Sequence, residues 1–260
     1  KTLPSLTQTA ILHINGKIVN RRRIKKYLDM LQSSSPSYIF MASLDACVDF
    51  VDGKCENEFE LYVERLQKFR EELKPLQHLQ ILRTEHYDIS KVVISTANAN
   101  ITSPELADRL RKEYHLEMEM CGADYVTAIA AIGDSKKGLK RLKKALLEID
   151  KELEKNGNIC NDDPDENVYS RHAKQVMPVF KAMDGEKEAV PLKESCGRIC
   201  GEFAYIYPPG IPLLAPGEQI TEEILKTLQD YIEKDLPVQG LEDTDLVTIQ
   251  VMALSGGRSV

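Results

Sequence analysis

Apolar residues recur every three or four positions in several stretches of the chain, which is the spacing of one helix face. The first stretch starts at Ile24 and ends in the turn 32–37. The next, 38–51, is apolar on almost all sides, so we expect this helix to lie inside a larger body. Apolar spacing predicts further helices at 57–73, near 170–176 and at 222–234, the last of these capped by Thr221. Cap residues predict two more: one begins with Ser103 as its cap and Pro104 as its first residue, and the other follows the caps Asp134 and Ser135.

Short apolar or alternating runs predict strands at 10–14, 79–83, 91–95, 116–121, 125–132 and 246–254. The four middle strands alternate with two helices, so we expect an α/β sandwich of ferredoxin-like size over 79–155. The polar, turn-rich stretch 156–167 predicts a domain boundary, and 255–260 is expected to be disordered.

A proline-rich segment, 197–221, is the part of the chain least typical of ordinary scaffold. Pro208, Pro209, Pro212 and Pro216 lack amide donors, so we expect a stiff extended arm that joins neither a helix nor a central sheet. Apolar residues among the prolines predict that the arm packs on a hydrophobic wall. Two interpretations stay open: it docks one domain on another, or it positions a functional group among Glu202, Tyr205, Tyr207 and Glu218.

Composition narrows the class of protein. The 260 residues suffice for up to three small domains, and 42% hydrophobic with 29% charged residues is typical of a globular protein. No apolar run approaches the ~20 residues of a membrane span, which argues against membrane insertion. A net charge of −7 argues against a nucleic-acid binder, so the basic cluster 21–26 is interpreted as a solvated helix start.

The cysteines and histidines indicate no metal site. Six cysteines lack paired C-x-x-C spacing and nearby histidines, so reduced thiols in a cytoplasmic protein are expected rather than zinc or a disulfide framework. No signal peptide is predicted after Lys1. The serines of 33–37 precede a predicted helix, and there they favour either an anion site at the helix N-terminus or a simple capped turn.

Three motifs resemble the bacterial Orn/Lys/Arg decarboxylases, which are fold type I pyridoxal-phosphate enzymes. Residues 1–10 resemble the half of the cofactor-attachment signature that begins at the Schiff-base lysine, with 7–10 matching its ending and Pro4 departing from it. Residues 33–38 are similar to the turn beside the cofactor phosphate of the neighbouring subunit. Gly197-Arg198, 207–212 and 216–218 resemble the hallmark of the family's C-terminal domain.

The resemblance implies an α/β architecture in three parts. These are the tail of a fold type I PLP-dependent transferase large domain (1–56), a connecting helix with a small α/β domain (57–157), and a C-terminal decarboxylase domain with the proline-rich arm (158–260). It also implies a cytoplasmic homodimer or higher oligomer, because the serine turn serves the partner subunit. The family's ring-stacking histidine, its ring-nitrogen aspartate and its Ser-x-His would all precede Lys1.

The implied activity is pyridoxal-phosphate-dependent decarboxylation of arginine, lysine or ornithine, in polyamine biosynthesis. Lys1 is then the catalytic residue, pyridoxal phosphate is held by Lys1, Ser33, Ser34 and Ser35, and the substrate's distal cation meets Glu202, Glu218 or Glu119. Each glutamate could equally be a plain surface carboxylate. The alternatives are a non-catalytic homologue or fragment that regulates a decarboxylase partner, and another fold type I activity such as aminotransfer. No metal, nucleic acid or membrane partner is expected.

Overall fold

The computed structural model describes residues 2–32, 34–53, 55–154, 173–207 and 210–253. Its helices are α1 (Arg21–Leu31), α2 (Tyr38–Gly53), α3 (Cys55–Glu72), α4 (Ser103–Tyr114), α5 (Lys136–Glu152), α6 (Val179–Asp184) and α7 (Glu222–Glu233). Its strands are β1 (Gln80–Ile81), β2 (Lys91–Ser95), β3 (Met120–Cys121), β4 (Tyr125–Ile129), β5 (Lys187–Pro191), β6 (Ala204–Ile206), β7 (Pro212–Leu214), β8 (Val238–Gln239) and β9 (Thr248–Met252).

Local cap chemistry explains most helix starts. Ser135 caps α5 and Thr221 caps α7, as predicted, because each hydroxyl accepts an amide of the first turn. For α4 the predicted cap was wrong by one residue. Thr102 is the cap, because it forms a reciprocal capping box with Glu105. The Ser103 hydroxyl instead donates to the carbonyl of Gly122.

The predicted α/β sandwich is present and is called the sandwich unit (79–154). Its four antiparallel strands lie in the order β1-β2-β4-β3, and β2 pairs along its whole length with β4. Helices α4 and α5 pack on this sheet, and the end of α3 adds Phe69 and Leu73 to the same core. The buried apolar side chains that share this core include Val92, Ile94, Leu106, Leu110, Val126, Leu142, Leu146 and Ile149.

Three strands of this sheet are shorter than predicted, and one of them is β4, which covers Tyr125–Ile129 of the predicted 125–132. Strand β1 covers only Gln80–Ile81, because the amide of Leu79 donates to the carboxylate of Asp150. Strand β3 covers only Met120–Cys121 of the predicted 116–121. The alternation of apolar and polar residues therefore did not predict where the backbone pairing of each strand begins and ends.

The C-terminal unit (173–253) contains two small antiparallel sheets, β5-β9 and β7-β6-β8, and helix α7. The prediction that the proline-rich segment joins no central sheet was wrong, because β6 is the central strand of three. Strand β6 contains no proline, and Pro212 begins the edge strand β7, where a missing amide costs no ladder bond. Pro208 and Pro209 lie outside the described residues.

Two other predicted elements were wrong. Residues 10–14 form no strand, because none of the described residues pairs with them. Residues 173–176 are not helical, because the amide of Val176 donates to the carbonyl of Gly217; α6 begins later, at Val179. The rest of the predicted 170–176 helix, the predicted linker 156–167 and the tail 254–260 lie outside the described residues.

Helix α2 forms where predicted, but its apolar side chains are largely uncovered. Cys47 is its one buried residue in the described chain, whereas Ile39 is 72% and Met41 is 51% exposed. Among the described residues no helix has both the length and the apolar character to cross a bilayer.

Candidate functional site

The segment that follows Lys1 is anchored on helix α2. The backbone N–H of Leu6 donates to the hydroxyl of Ser43 at 2.7 Å, and the hydroxyls of Ser5 and Ser43 lie 3.2 Å apart. Lys1 itself lies outside the described residues, so its catalytic role is still a prediction. These hydrogen bonds tie residues 5 and 6 to a regular helix.

The serine turn stands at the N-terminus of the same helix. Ser34 and Ser35 are exposed, and Ser33 lies outside the described residues. Ser37 caps the helix, since its hydroxyl accepts the N–H of Phe40 at 3.4 Å. Ser37 and Ser43 are six residues apart on one helix, which corresponds to about 9 Å along its axis. The serine turn and the anchored 5–6 segment therefore belong to one rigid element.

An unusual backbone conformation marks the signature at 7–10. Gln8 has a φ of 67°, a region that costs a residue with a Cβ about 1–2 kcal/mol. Hydrogen bonds hold the surrounding turn: Thr9 donates its hydroxyl to the carbonyl of Leu6 at 2.6 Å and contacts the hydroxyl of Ser5 at 2.7 Å. Strained backbone of this kind concentrates at functional sites. Sequence reasoning missed it, because nothing in the residue type of a glutamine signals a positive φ.

Glu202 is buried and hydrogen-bonded to the fold. One carboxylate oxygen accepts the N–H of Glu242 and the other accepts the N–H of Gln250, each at 2.7 Å. Burial raises the pKa of Glu202, and these two backbone bonds oppose the rise. The carboxylate thus ties β9 to the loop before it, and the substrate-binding role predicted for it stays untested.

Glu218 and Glu119 lie in different parts of the chain. Glu218 accepts the N–H of Ala215 at 2.8 Å through one carboxylate oxygen and belongs to the C-terminal unit. Glu119 lies in the sandwich unit, where its backbone N–H donates to the carbonyl of Thr127 at 2.8 Å. The three predicted acidic contacts are therefore distributed over two cores rather than grouped on one.

The hallmark segments of the C-terminal unit join through Cys200. Its N–H donates to the carbonyl of Glu218, and its carbonyl accepts the N–H of Gly217, both at 2.8 Å. Burial raises the pKa of the Cys200 thiol to about 12, which makes it a packing residue and not a nucleophile. Arg198 donates to the carbonyl of Met252 at 2.9 Å and pairs with Glu188. Backbone hydrogen bonds thus hold Gly197-Arg198 and Pro216–Glu218 next to each other.

Among the described residues, no three His, Cys, Asp or Glu side chains are grouped so that they could hold a metal ion. The five cysteines among these residues are all free thiols: Cys47, Cys55, Cys121, Cys196 and Cys200.

The architecture places the chain among the α/β proteins, with an antiparallel sandwich followed by a second small α/β unit. The family model for the Orn/Lys/Arg decarboxylase major domain matches residues 1–103, and the model for the C-terminal domain of the same family matches residues 162–238. The chain belongs to the Orn/Lys/Arg decarboxylase family.

Curated relatives agree with this assignment. The chain is 32% identical over 256 residues to the arginine decarboxylase of Halalkalibacterium halodurans, covering 95% of this chain and 52% of the relative. It is 30% identical over 264 residues to the arginine decarboxylase of Bacillus subtilis, again covering 95% and 52%. The chain therefore spans about half the length of the curated relatives it matches.

Solved structures share the fold. The Francisella novicida lysine decarboxylase LdcF superposes with a TM-score of 0.77 at 18% identity, over 97% of this chain and 48% of that one. The Escherichia coli constitutive lysine decarboxylase gives 0.74 at 20% identity, over 96% and 48%. At this identity the likeness concerns the fold alone.

Proposed function

We propose that the chain forms the later half of a cytoplasmic, pyridoxal-phosphate-dependent decarboxylase that converts arginine, lysine or ornithine to the corresponding amine for polyamine biosynthesis. The observation that carries the proposal is the shared use of helix α2. The segment after Lys1 is bonded to Ser43 of that helix, and the serine turn stands at its N-terminus. The segment after Lys1 and the serine turn, which in this proposal reaches the cofactor of the neighbouring subunit, thus both meet helix α2.

The residues present suit a phosphate-bearing cofactor. The N-terminus of α2 offers backbone N–H groups and the positive end of a 16-residue helix dipole, with Ser34 and Ser35 exposed beside it. In this proposal Ser33, Ser34 and Ser35 hold the phosphate of the neighbouring subunit's cofactor, and Lys1 supplies the attaching amine for the cofactor of its own subunit. When bound, pyridoxal phosphate supplies an acceptor for the electron pair released as the substrate carboxylate leaves as CO₂.

The task of Lys1 depends on its protonation. An amine reacts with an aldehyde only when neutral, and loss of water together with a cationic neighbour lowers the pKa of a lysine. Closing the site around Lys1 therefore activates it. Gln8 and Thr9 orient the segment through the strained turn described above.

Among the acidic candidates, Glu218 is the best suited to a cationic substrate. Both oxygens of Glu202 already accept backbone N–H groups, whereas one oxygen of Glu218 accepts a single N–H at 2.8 Å. A carboxylate with spare acceptor capacity binds an ammonium or guanidinium strongly. Glu119 remains a third candidate. We also propose a homodimer or higher oligomer, in which the serine turn serves the neighbouring subunit.

The exposed face of α2 supports a second candidate function. A helix with Ile39 and Met41 more than half exposed is unusual in a stable monomer, and such apolar surface marks an interaction site. The chain could therefore act as a non-catalytic homologue or fragment that docks on a decarboxylase partner and regulates it.

The test measures CO₂ release by the complete protein, in which this chain is the later half, with pyridoxal phosphate and each of arginine, lysine and ornithine. We expect one amino acid to release CO₂ and its amine, the bound cofactor to absorb visible light, and Lys1→Ala to abolish both, while the exposed control Lys17→Ala retains them. Keto-acid production instead of CO₂ would indicate aminotransfer. A complete protein that is colourless and releases no CO₂, but changes the activity of a decarboxylase partner, would favour the second function.

A further inference from the structure

An incompletely satisfied cation lies at the end of helix α3. Arg70 occupies the last turn and is 2% exposed. Its Nη2 donates to the carbonyl of Lys91 at 2.9 Å, but Nε and Nη1 are buried and have no hydrogen-bond partner among the described residues. Buried N–H groups of a charged side chain are normally paired, because an unpaired one loses its water without compensation.

The acidic groups near Arg70 are occupied elsewhere. Asp88 accepts the N–H and the hydroxyl of Ser90 through one oxygen, at 2.9 and 2.6 Å. Its other oxygen lies 3.7 Å from Nζ of Lys91. Arg70 therefore has no carboxylate partner in the described chain, and burial lowers its pKa from the usual value.

A cleft of about 330 Å³ opens beside this guanidinium. Its lining contains the cationic residues Arg70, Lys74 and Arg83. The other lining residues are Gln80 and the apolar Leu73, Leu76, Leu79 and Ile81. The remaining unpartnered buried atom in the described chain, Nδ1 of His78, belongs to the loop that contributes Leu76 and Leu79. All the unsatisfied buried side-chain atoms of the described residues thus lie in or next to the wall of one cleft.

Glu71 and Tyr87 contact the cations of this cleft. Glu71 pairs with Lys74 and lies 3.6 Å from Arg83, so it competes for the two exposed cations. The ring of Tyr87, which is 43% exposed, lies over the guanidinium of Arg70 at 5.4 Å. Lys74 and Arg83 are the exposed cations of the cleft, and Arg70 is the buried one.

We propose that this cleft is a binding site for a small oxyanion, a carboxylate or a phosphate, held by Arg70, Lys74 and Arg83. The site is separate from the segment after Lys1 and does not depend on the proposed decarboxylase activity. A local group of three cations around one cleft attracts anions even in a chain of net charge −7. Carboxylate and phosphate both match the donor geometry of a guanidinium.

The test uses the whole chain and two probes, inorganic phosphate and succinate, each titrated by calorimetry at constant ionic strength set with chloride. Glu71→Gln releases Lys74 and Arg83, so we expect it to tighten binding about threefold. Glu72→Gln is the matched control, because the partner of Glu72 is Lys143, which does not line the cleft. Arg83→Gln should weaken binding about threefold or more.

An NMR signal of Arg70 tests whether the bound probe reaches this cleft. The Nε–H resonance of Arg70 in ¹⁵N-arginine-labelled chain, assigned by its loss in Arg70→Gln, should shift on titration with the tighter probe. The preferred probe identifies the oxyanion class. Heat no greater than that of chloride, equal responses of Glu71→Gln and Glu72→Gln, or an unmoved Arg70 resonance would each overturn the proposal. The comparison of Glu71→Gln with Glu72→Gln tests the proposed anion site even if Arg70→Gln does not fold.

Discussion

The carboxylate of Asp150 on helix α5 accepts the backbone N–H of Leu79 at 2.7 Å, immediately before strand β1. The same carboxylate accepts the N–H groups of Gln77 and His78 at 2.8 and 2.9 Å. One buried side chain thus satisfies three consecutive amides of the turn between α3 and β1. It joins the end of the connecting helix to the core of the sandwich unit.

Replacing Asp150 with Asn should destabilise the sandwich unit by about 2–3 kcal/mol. An amide has one acceptor oxygen in place of two and no charge, so at least one buried N–H loses its partner. Urea unfolding monitored by circular dichroism measures the loss. The matched control is Asp124→Asn, whose side chain makes an exposed contact with Lys234 at 3.4 Å and should change stability by less than about 0.5 kcal/mol. Equal effects of the two substitutions would contradict this role.

Stability of the C-terminal unit should fall in acid through Asp243. Its carboxylate accepts the N–H groups of Asp245, Val247 and Thr248 and the hydroxyl of Thr248. The hydroxyl and N–H of Thr248 contribute most to lowering the pKa of Asp243 below its usual 3.8. A lowered pKa gives stability that is complete above the unfolded pKa and is lost as pH falls through the folded one.

The measurement compares melting temperatures of wild type and Asp243→Asn from pH 7 down to pH 2. We expect Asp243→Asn to melt at a lower temperature near neutrality and the two curves to converge below about pH 4. Asp245→Asn is the control, since the bond in that turn uses the Asp245 backbone. A constant gap at all pH values would show that the ionised carboxylate is not responsible.

Gly217 should tolerate no side chain. Its φ is +88°, and a Cβ there would lie 2.3 Å from the carbonyl oxygen of Met177. We expect Gly217→Ala to cost about 2–4 kcal/mol. Gly197 has a similar φ of +81° but no heavy atom within 4 Å of a Cβ, so Gly197→Ala isolates the backbone strain at about 1–2 kcal/mol. Chemical denaturation gives the free energy of unfolding of both variants. A similar loss in the two would contradict a steric clash between the Cβ at position 217 and Met177.

The exposed face of α2 should drive association. Ile39→Glu places a charge on that face, so we expect the sedimentation coefficient of the chain to depend less on concentration, with the free energy of unfolding changed by no more than about 0.5 kcal/mol. Val247→Glu is the control on another surface, since Val247 is 63% exposed in the C-terminal unit. If both variants sediment as wild type does, the α2 face is not an association surface.

Elements that depend on neighbouring residues were predicted better than elements that depend on distant ones. Strand β2 and helices α1, α2, α3, α5 and α7 followed from apolar spacing and caps, because those signals act within a few residues. The strand predicted at 10–14 failed for the opposite reason. A strand needs a partner, and the described chain supplies none.

Signals within short stretches of the chain were enough to predict the α/β class, most of the helices, and the decarboxylase family, whose motifs are contiguous. The folded chain was needed to show that β6 is a central strand, that Glu202 accepts the N–H groups of Glu242 and Gln250, and that Arg70 is buried without a carboxylate partner. Each of these depends on groups brought together from separate parts of the chain. Burial and hydrogen-bond partners are properties of that assembly, whereas periodicity and caps are properties of neighbouring residues.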